Sequence, residues 1–106
     1  MAKHVVVLVT APSKDVGREI GQTLLERRLA ACINVVPAVE SLYVWQGEVC
    51  DDEEVLLVIK TTAAAFDALV TAVRNVHPYD VPEIIALPIA AGFQDYLDWI
   101  SESTDA

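Results

Sequence analysis

Tyr43-Val44-Trp45-Gln46-Gly47-Glu48-Val49-Cys50 is the stretch on which the fold turns. Gln46-Gly47 offers a two-residue hairpin turn between two runs of strand-forming residues, so Ala31 to Trp45 reads as one long strand and Val49 to Thr61 as its return. Pro37 interrupts the first arm, and a proline inside a strand demands an edge, a bulge or a bend. With Trp45 opposite Glu48, Tyr43 faces Cys50 and Cys32 faces Thr61; a bulge at Pro37 slips that pairing by one residue. Either register leaves Cys32 and Cys50 far apart along the strands, which excludes a disulfide between them. Val55-Leu56-Leu57-Val58-Ile59 shows no alternation, so both faces of that strand are expected to be covered, one by helices and the other by a partner subunit.

On the N-terminal side, His4 to Thr10 is β-branched and apolar, and Pro12-Ser13 breaks it. Ser13 is positioned to cap a helix carrying Val16, Ile20 and Leu24, in which Gly17 and Gly21 permit close approach to a sheet or a neighbouring chain. On the C-terminal side, Thr62 reads as the cap of a helix with Phe66, Leu69, Val70 and Val73 on one face, and Glu83 to Ile89 as a further strand. Gly92 then precedes a last helix bearing Phe93, Tyr96, Leu97 and Ile100. The order is βαββαβ with an added helix. This predicts an α+β, ferredoxin-like sandwich with a long hairpin between its second and third strands, as a single domain over residues 1–106.

Composition narrows the function. A 106-residue chain that is 54% hydrophobic has more apolar surface than so small a domain buries alone, which points to self-association. Seven Lys+Arg against 16 Asp+Glu give a net charge of -9, which disfavours nucleic acid and anionic membranes and attracts cations. Val5 to Val9 is too short for a signal-peptide core or a membrane span, and the cysteine spacing fits neither a redox pair nor a zinc finger; the chain reads as cytoplasmic. No phosphate-binding glycine pattern is present, and the acidic run Asp51-Asp52-Glu53-Glu54 lacks the spacing of a calcium loop, so it reads as a solvated, charge-protected strand.

His77-Pro78-Tyr79-Asp80-Val81-Pro82-Glu83 is the richest stretch chemically. Pro78 and Pro82 stiffen a helix-to-strand corner and give the polar side chains between them defined directions. Together with Ala31-Cys32-Ile33-Asn34-Val35-Val36-Pro37, Ser41 through Glu48, Lys60-Thr61 and Tyr96-Leu97-Asp98-Trp99-Ile100, this segment closely resembles the CutA family of divalent-cation tolerance proteins, from Val5 to about Ser101. The resemblance implies a tight homotrimer, related in shape to the PII signalling proteins, and a response to copper and other divalent cations. It also implies copper ligands at a first-strand cysteine and at two histidines before Pro-Tyr. Here Val9 and Val76 occupy two of those positions, leaving His77.

One imidazole does not make a selective copper site, which needs several nitrogen or sulfur ligands converging on one point. Cys32 is the metal candidate to accompany His77, with Glu83, Asp80 or His4 as supplements; equally, Cys32 fits a small buried hydrophobe and His77 a partner for the end of the preceding helix. Lys60, followed by Thr61-Thr62 at a helix start, is a candidate anion site with Glu83 and Tyr79 nearby, or else a strand-end lysine reaching water or a carboxylate. Tyr43 and Trp45 read as interface anchors, and Pro82 as part of a corner near a subunit contact.

Three classes of function follow. The preferred one is a non-enzymatic homotrimer of the cation-tolerance type that binds copper or another divalent cation weakly, needs no cofactor to fold, and acts with an unidentified protein partner. The second is a PII-like regulator or scaffold holding a small anion between subunits. The third, an enzyme using Cys32 as nucleophile or His77 as base, lacks any signature of the accompanying groups such chemistry requires.

Overall fold

The computed structural model describes residues 2–105. β1 (His4–Ala11) leads into α1 (Lys14–Glu26), then β2 (Cys32–Trp45), β3 (Glu48–Thr62), a single 3-10 turn (Ala63–Ala65), α2 (Phe66–Val76), β4 (Ile84–Pro88) and α3 (Gln94–Ser103). The sheet order is β2-β3-β1-β4 with every neighbouring pair antiparallel, the ferredoxin-like arrangement.

Alternation along β1 assigns the two faces of the sheet. Val5, Val7, Val9 and Ala11 point one way and are buried, together with Val55, Leu57 and Ile59 of β3, against Ile20 and Leu24 of α1 and Leu69 and Val73 of α2. Each such aliphatic side chain contributes about 1.5–3 kcal/mol on burial. Helix α1 starts as expected, with the Val16 amide donating to Ser13 Oγ at 3.2 Å. Gly17 lets α1 lie close on β3, because a Cβ there would come within 3.0 Å of Val55 Cγ2.

The opposite face is only partly covered. Leu56 and Val58 of β3 are half-buried on it, and Ile85 and Leu87 of β4 are exposed on it. Helix α3 lies across one end of this face: Ser101 Oγ is 2.8 Å from His4 Nε2, and Ile100 is fully buried. The second cover expected for β3 is therefore not supplied by the described residues of one chain.

The hairpin bears the predicted bulge. Trp45 pairs with Glu48 and Tyr43 with Cys50, but between Val36 and Val39 two residues of β2 oppose Val55 alone, so Cys32 pairs with Lys60 rather than Thr61. Ala38 takes a left-handed φ of 60° there. At the turn, Gln46 and Gly47 have φ of 51° and 80°, the signs of a type I′ turn. Both cysteines are free. Beyond Ala11, which pairs with Val55, β1 ends and the hairpin continues as a two-stranded arm, giving overall extents of 44 × 26 × 22 Å.

Two boundaries differ from the sequence reading. Thr62 makes no capping bond: it is the last residue of β3, its hydroxyl is buried without a partner, and the Ala63 amide bonds instead to Lys3 O at 2.8 Å. The helix thus opens through the 3-10 turn. Strand β4 runs from Ile84 to Pro88, which leaves Glu83 in the preceding loop and Ile89 just past the strand.

Candidate functional site

The segment from His77 to Glu83 forms a strap that leaves α2, passes the end of β1 and reaches the root of the arm. His77 terminates α2, its amide bonding to Val73 O at 2.8 Å. Its ring is only 7% exposed, and both nitrogens are engaged: Nε2 lies 2.7 Å from the Thr10 carbonyl and Nδ1 accepts the Tyr79 amide at 3.1 Å. The partners decide the tautomer, since a carbonyl only accepts and an amide N-H only donates; Nε2 carries the proton. The Tyr79 ring lies against the imidazole at a centroid distance of 4.7 Å.

Tyr79 then crosses to the arm and donates its phenol to Glu54 Oε2 at 2.9 Å. Burial, followed by the bond to the Glu54 carboxylate and the charges of Glu54 and Asp52, pushes this phenol up to about 12. Glu54 is 7% exposed, which corrects its reading as a solvated arm residue. It occupies the first position of β3 past the end of β1, where the strap covers it. Further out, Tyr43 donates to Asp52 across the ladder, and that bond is the main reason its phenol also rises to about 12.

Arm and strap enclose an open cleft of about 670 Å³. Tyr43 and Trp45 line it from the arm, Tyr79, Asp80 and Glu83 from the strap, and Glu54 lies at the root between them. No lysine or arginine lines it among the described residues. Pro82 is half-buried between Val81 and Glu83.

Cys32 and Lys60 lie elsewhere. They face each other at the end of the sheet where β1 begins, in line with Val6, whereas His77 bonds to Thr10 at the other end of that strand. Lys60 Nζ donates to Asn34 Oδ1. The Tyr96 phenol beside Cys32 is raised above its ordinary value, first by burial and then by the thiol's charge and hydrogen bond. The two metal candidates therefore do not converge within one chain, and no cluster of three His, Cys, Asp or Glu side chains able to hold a metal ion occurs among the described residues. His4, a proposed supplement, bonds to Ser101.

Glu54 and the Thr10 carbonyl are the organising groups that sequence reasoning missed. Glu54 had one available signal, its position directly before the apolar run Val55 to Ile59, where the arm must leave the sheet. A backbone carbonyl carries no signal.

Comparison with known proteins agrees with the overall fold. The family model described as CutA1 divalent ion tolerance protein matches residues 5–103. The chain belongs to the CutA1 family. The divalent-cation tolerance protein CutA of Thermus thermophilus is 57% identical over 99 residues, covering 93% of this chain and 96% of that protein. The chloroplastic protein CutA 1 of Oryza sativa is 48% identical over 100 residues; the match covers 94% of this chain and 56% of that relative's length. Among solved structures, Thermus thermophilus CutA1 superposes with a TM-score of 0.95 at 55% identity, covering 96% of this chain and 99% of that one. Oryza sativa CutA1 also reaches 0.95, at 46% identity and covering 98% and 95%. None of the described helices is long and apolar enough to cross a membrane.

Proposed function

We propose that this CutA1-family chain is a non-enzymatic, cytoplasmic homotrimer of the divalent-cation tolerance type, responding to copper or another divalent ion that it binds weakly. The observation that carries the reading is the apolar surface one chain leaves bare. Leu42 is 68% exposed, Val44 67% and Val49 79% on the arm, while Ile85 and Leu87 are exposed on the far edge strand. Contiguous apolar surface of this kind marks a protein contact. The chain has two different free sheet edges, β2 and β4, and head-to-tail pairing of one copy's β2 with the next copy's β4 is the arrangement that closes as a ring in this reading.

The non-enzymatic reading is supported by the arrangement of reactive groups. Cys32 lies away from His77, and both ring nitrogens of His77 are occupied by backbone groups. Since no group of three ligating side chains gathers among the described residues of one chain, cation binding in this reading draws on more than one copy. A net charge of -9 favours cations over nucleic acid or anionic membranes as partners, and the two free cysteines suit a reducing compartment.

Light scattering tests assembly, with a particle of three times 11.5 kDa expected and a monomer overturning it. Calorimetric titration with Cu²⁺ and Zn²⁺ tests the cation. Weak binding reduced in Cys32→Ala is expected, with His77→Ala, whose ring nitrogens are both engaged, as the contrast; unchanged affinity in Cys32→Ala removes that residue from the site.

A further inference from the structure

We propose that His77 makes the strap an acid-sensitive latch: when its imidazole takes up a second proton, the ring lets go of the Tyr79 amide and the strap loosens its hold on the root of the arm. The proposal does not depend on the number of copies or on a bound metal. Both ring nitrogens are committed to backbone groups, which leaves no lone pair for a cation.

The two partners require the neutral ring. The Thr10 carbonyl can only accept, so Nε2 carries the proton, and the Tyr79 amide can only donate, so Nδ1 must offer its lone pair. A second proton on Nδ1 therefore sets two donors face to face where a hydrogen bond stood. Turning the ring by half a revolution does not remove the conflict, because an imidazolium presents N-H on both sides. The ring is also buried, so the charged form loses hydration without gaining an acceptor.

The charged groups nearby do not relieve it. Arg74 of α2 and Asp80 of the strap line a recess beside His77, the first opposing the second proton and the other favouring it. The Tyr79 ring against the imidazole is neutral, and the Glu54 carboxylate lies beyond it, bonded to its phenol. β1 contributes the Thr10 carbonyl. None of these carboxylates is bonded to the ring, whose partners are Thr10 and Tyr79. The strap has little else to hold it: Pro78 and Pro82 have no N-H, and among the described residues no backbone-backbone hydrogen bond outside helices and strands involves residues 78–83. A segment with so few anchors opens locally at small cost once one of them is lost.

The test is nuclear magnetic resonance of the ¹⁵N-labelled full chain from about pH 8 to about pH 5, the range in which imidazoles ordinarily titrate. The wild type is compared with His4→Gln, which leaves His77 as the one imidazole. At the upper end the ring nitrogens should report the tautomer protonated at Nε2. On acidification, Tyr79 amide exchange, corrected for its intrinsic pH dependence, should rise by roughly tenfold, as expected for one lost hydrogen bond. Its midpoint should coincide with protonation of the His77 ring, and the coincidence should persist in Glu54→Gln. The proposal is overturned if the ring stays neutral throughout, if it protonates while the Tyr79 amide stays protected, or if His77→Gln shows the same transition, which would assign it to the carboxylates. Should His77→Gln fail to fold, the ring and amide titrations of the wild type decide the matter by themselves.

Discussion

The Tyr79 phenol reaches 2.9 Å from Glu54 Oε2 and ties the loop after α2 to the root of the β2-β3 arm, bridging 25 positions of sequence. The strap's other anchor, His77 Nε2 to Thr10 O, fastens it to the end of β1. Removing the phenolic hydroxyl should therefore loosen two elements at once. Tyr79→Phe leaves a buried carboxylate without its donor and is expected to cost about 1–3 kcal/mol in denaturant unfolding, with Glu54→Gln milder. Wild-type stability in Tyr79→Phe would sink this account.

The two cleft phenols make a prediction about alkaline pH. Tyr79 and Tyr43 are each raised from the ordinary 10.0 to about 12, so the folded chain holds these protons more tightly than the unfolded chain does. The resulting stabilisation is complete below pH 10 and is lost as pH rises from 10 towards 12. Phenolate absorbance should show late ionisation of both tyrosines in the folded protein. Tyr79→Phe should flatten the decline in melting temperature over the same window.

At Gly17 the helix rests directly on the sheet. Alanine improves helix propensity by about 1 kcal/mol, yet its Cβ would meet Val55 Cγ2 at 3.0 Å and Leu57 Cδ2 at 3.2 Å. Overpacking of this kind costs about 1–3 kcal/mol, so Gly17→Ala should be net destabilising by chemical denaturation. Gly21→Ala provides the contrast: its nearest neighbour is Ile33 Cγ2 at 3.5 Å, an ordinary contact, and the substitution should be neutral or stabilising.

Ala38 and Gln46 hold left-handed backbone without being glycine, at φ of 60° and 51°. That conformation costs an L-residue about 1–2 kcal/mol. Ala38→Gly and Gln46→Asn should each raise the unfolding midpoint, the latter because Asn-Gly suits a type I′ turn. A β-branched residue at 38 should lower it. An unchanged midpoint for all three would contradict the bulge geometry.

Arg28 combines strain with a clamp. At φ 56° it ends α1, while its Nε bonds to Asp105 Oδ1 at 3.0 Å and a guanidinium nitrogen to Glu102 O at 2.8 Å. Because the ion pair is exposed, it is worth no more than about 1 kcal/mol. Arg28→Ala should lose the clamp and keep the strain, whereas Arg28→Gly loses the clamp and gains the relief. Glycine should therefore be the more stable of the two by about 1 kcal/mol in thermal unfolding, and the reverse order would refute the strain.

Much of the fold was legible because its signals are local. The Gln46-Gly47 turn, the Ser13 cap and the proline that forces a bulge act within a few residues of themselves, and each appears where those residues stand. Thr62 was misread because capping depends on where the hydroxyl can point, and the end of a buried strand turned it away from the helix. The site was less legible for a related reason. Cys32 and His77 look like companions in a list of ligating residue types, but sheet topology sends them to opposite ends of β1.

By itself the sequence determined the element order, the hairpin, the faces that form the core and the family, since periodicity, turn chemistry and motif order are properties of neighbouring residues. Tertiary structure decided which polar groups meet. Glu54 acquires its partner, its burial and its place in the cleft only because β1 stops at Ala11 and the strap crosses that end. Hydrogen bonding and desolvation depend on distance in space, and chain separation does not encode that distance.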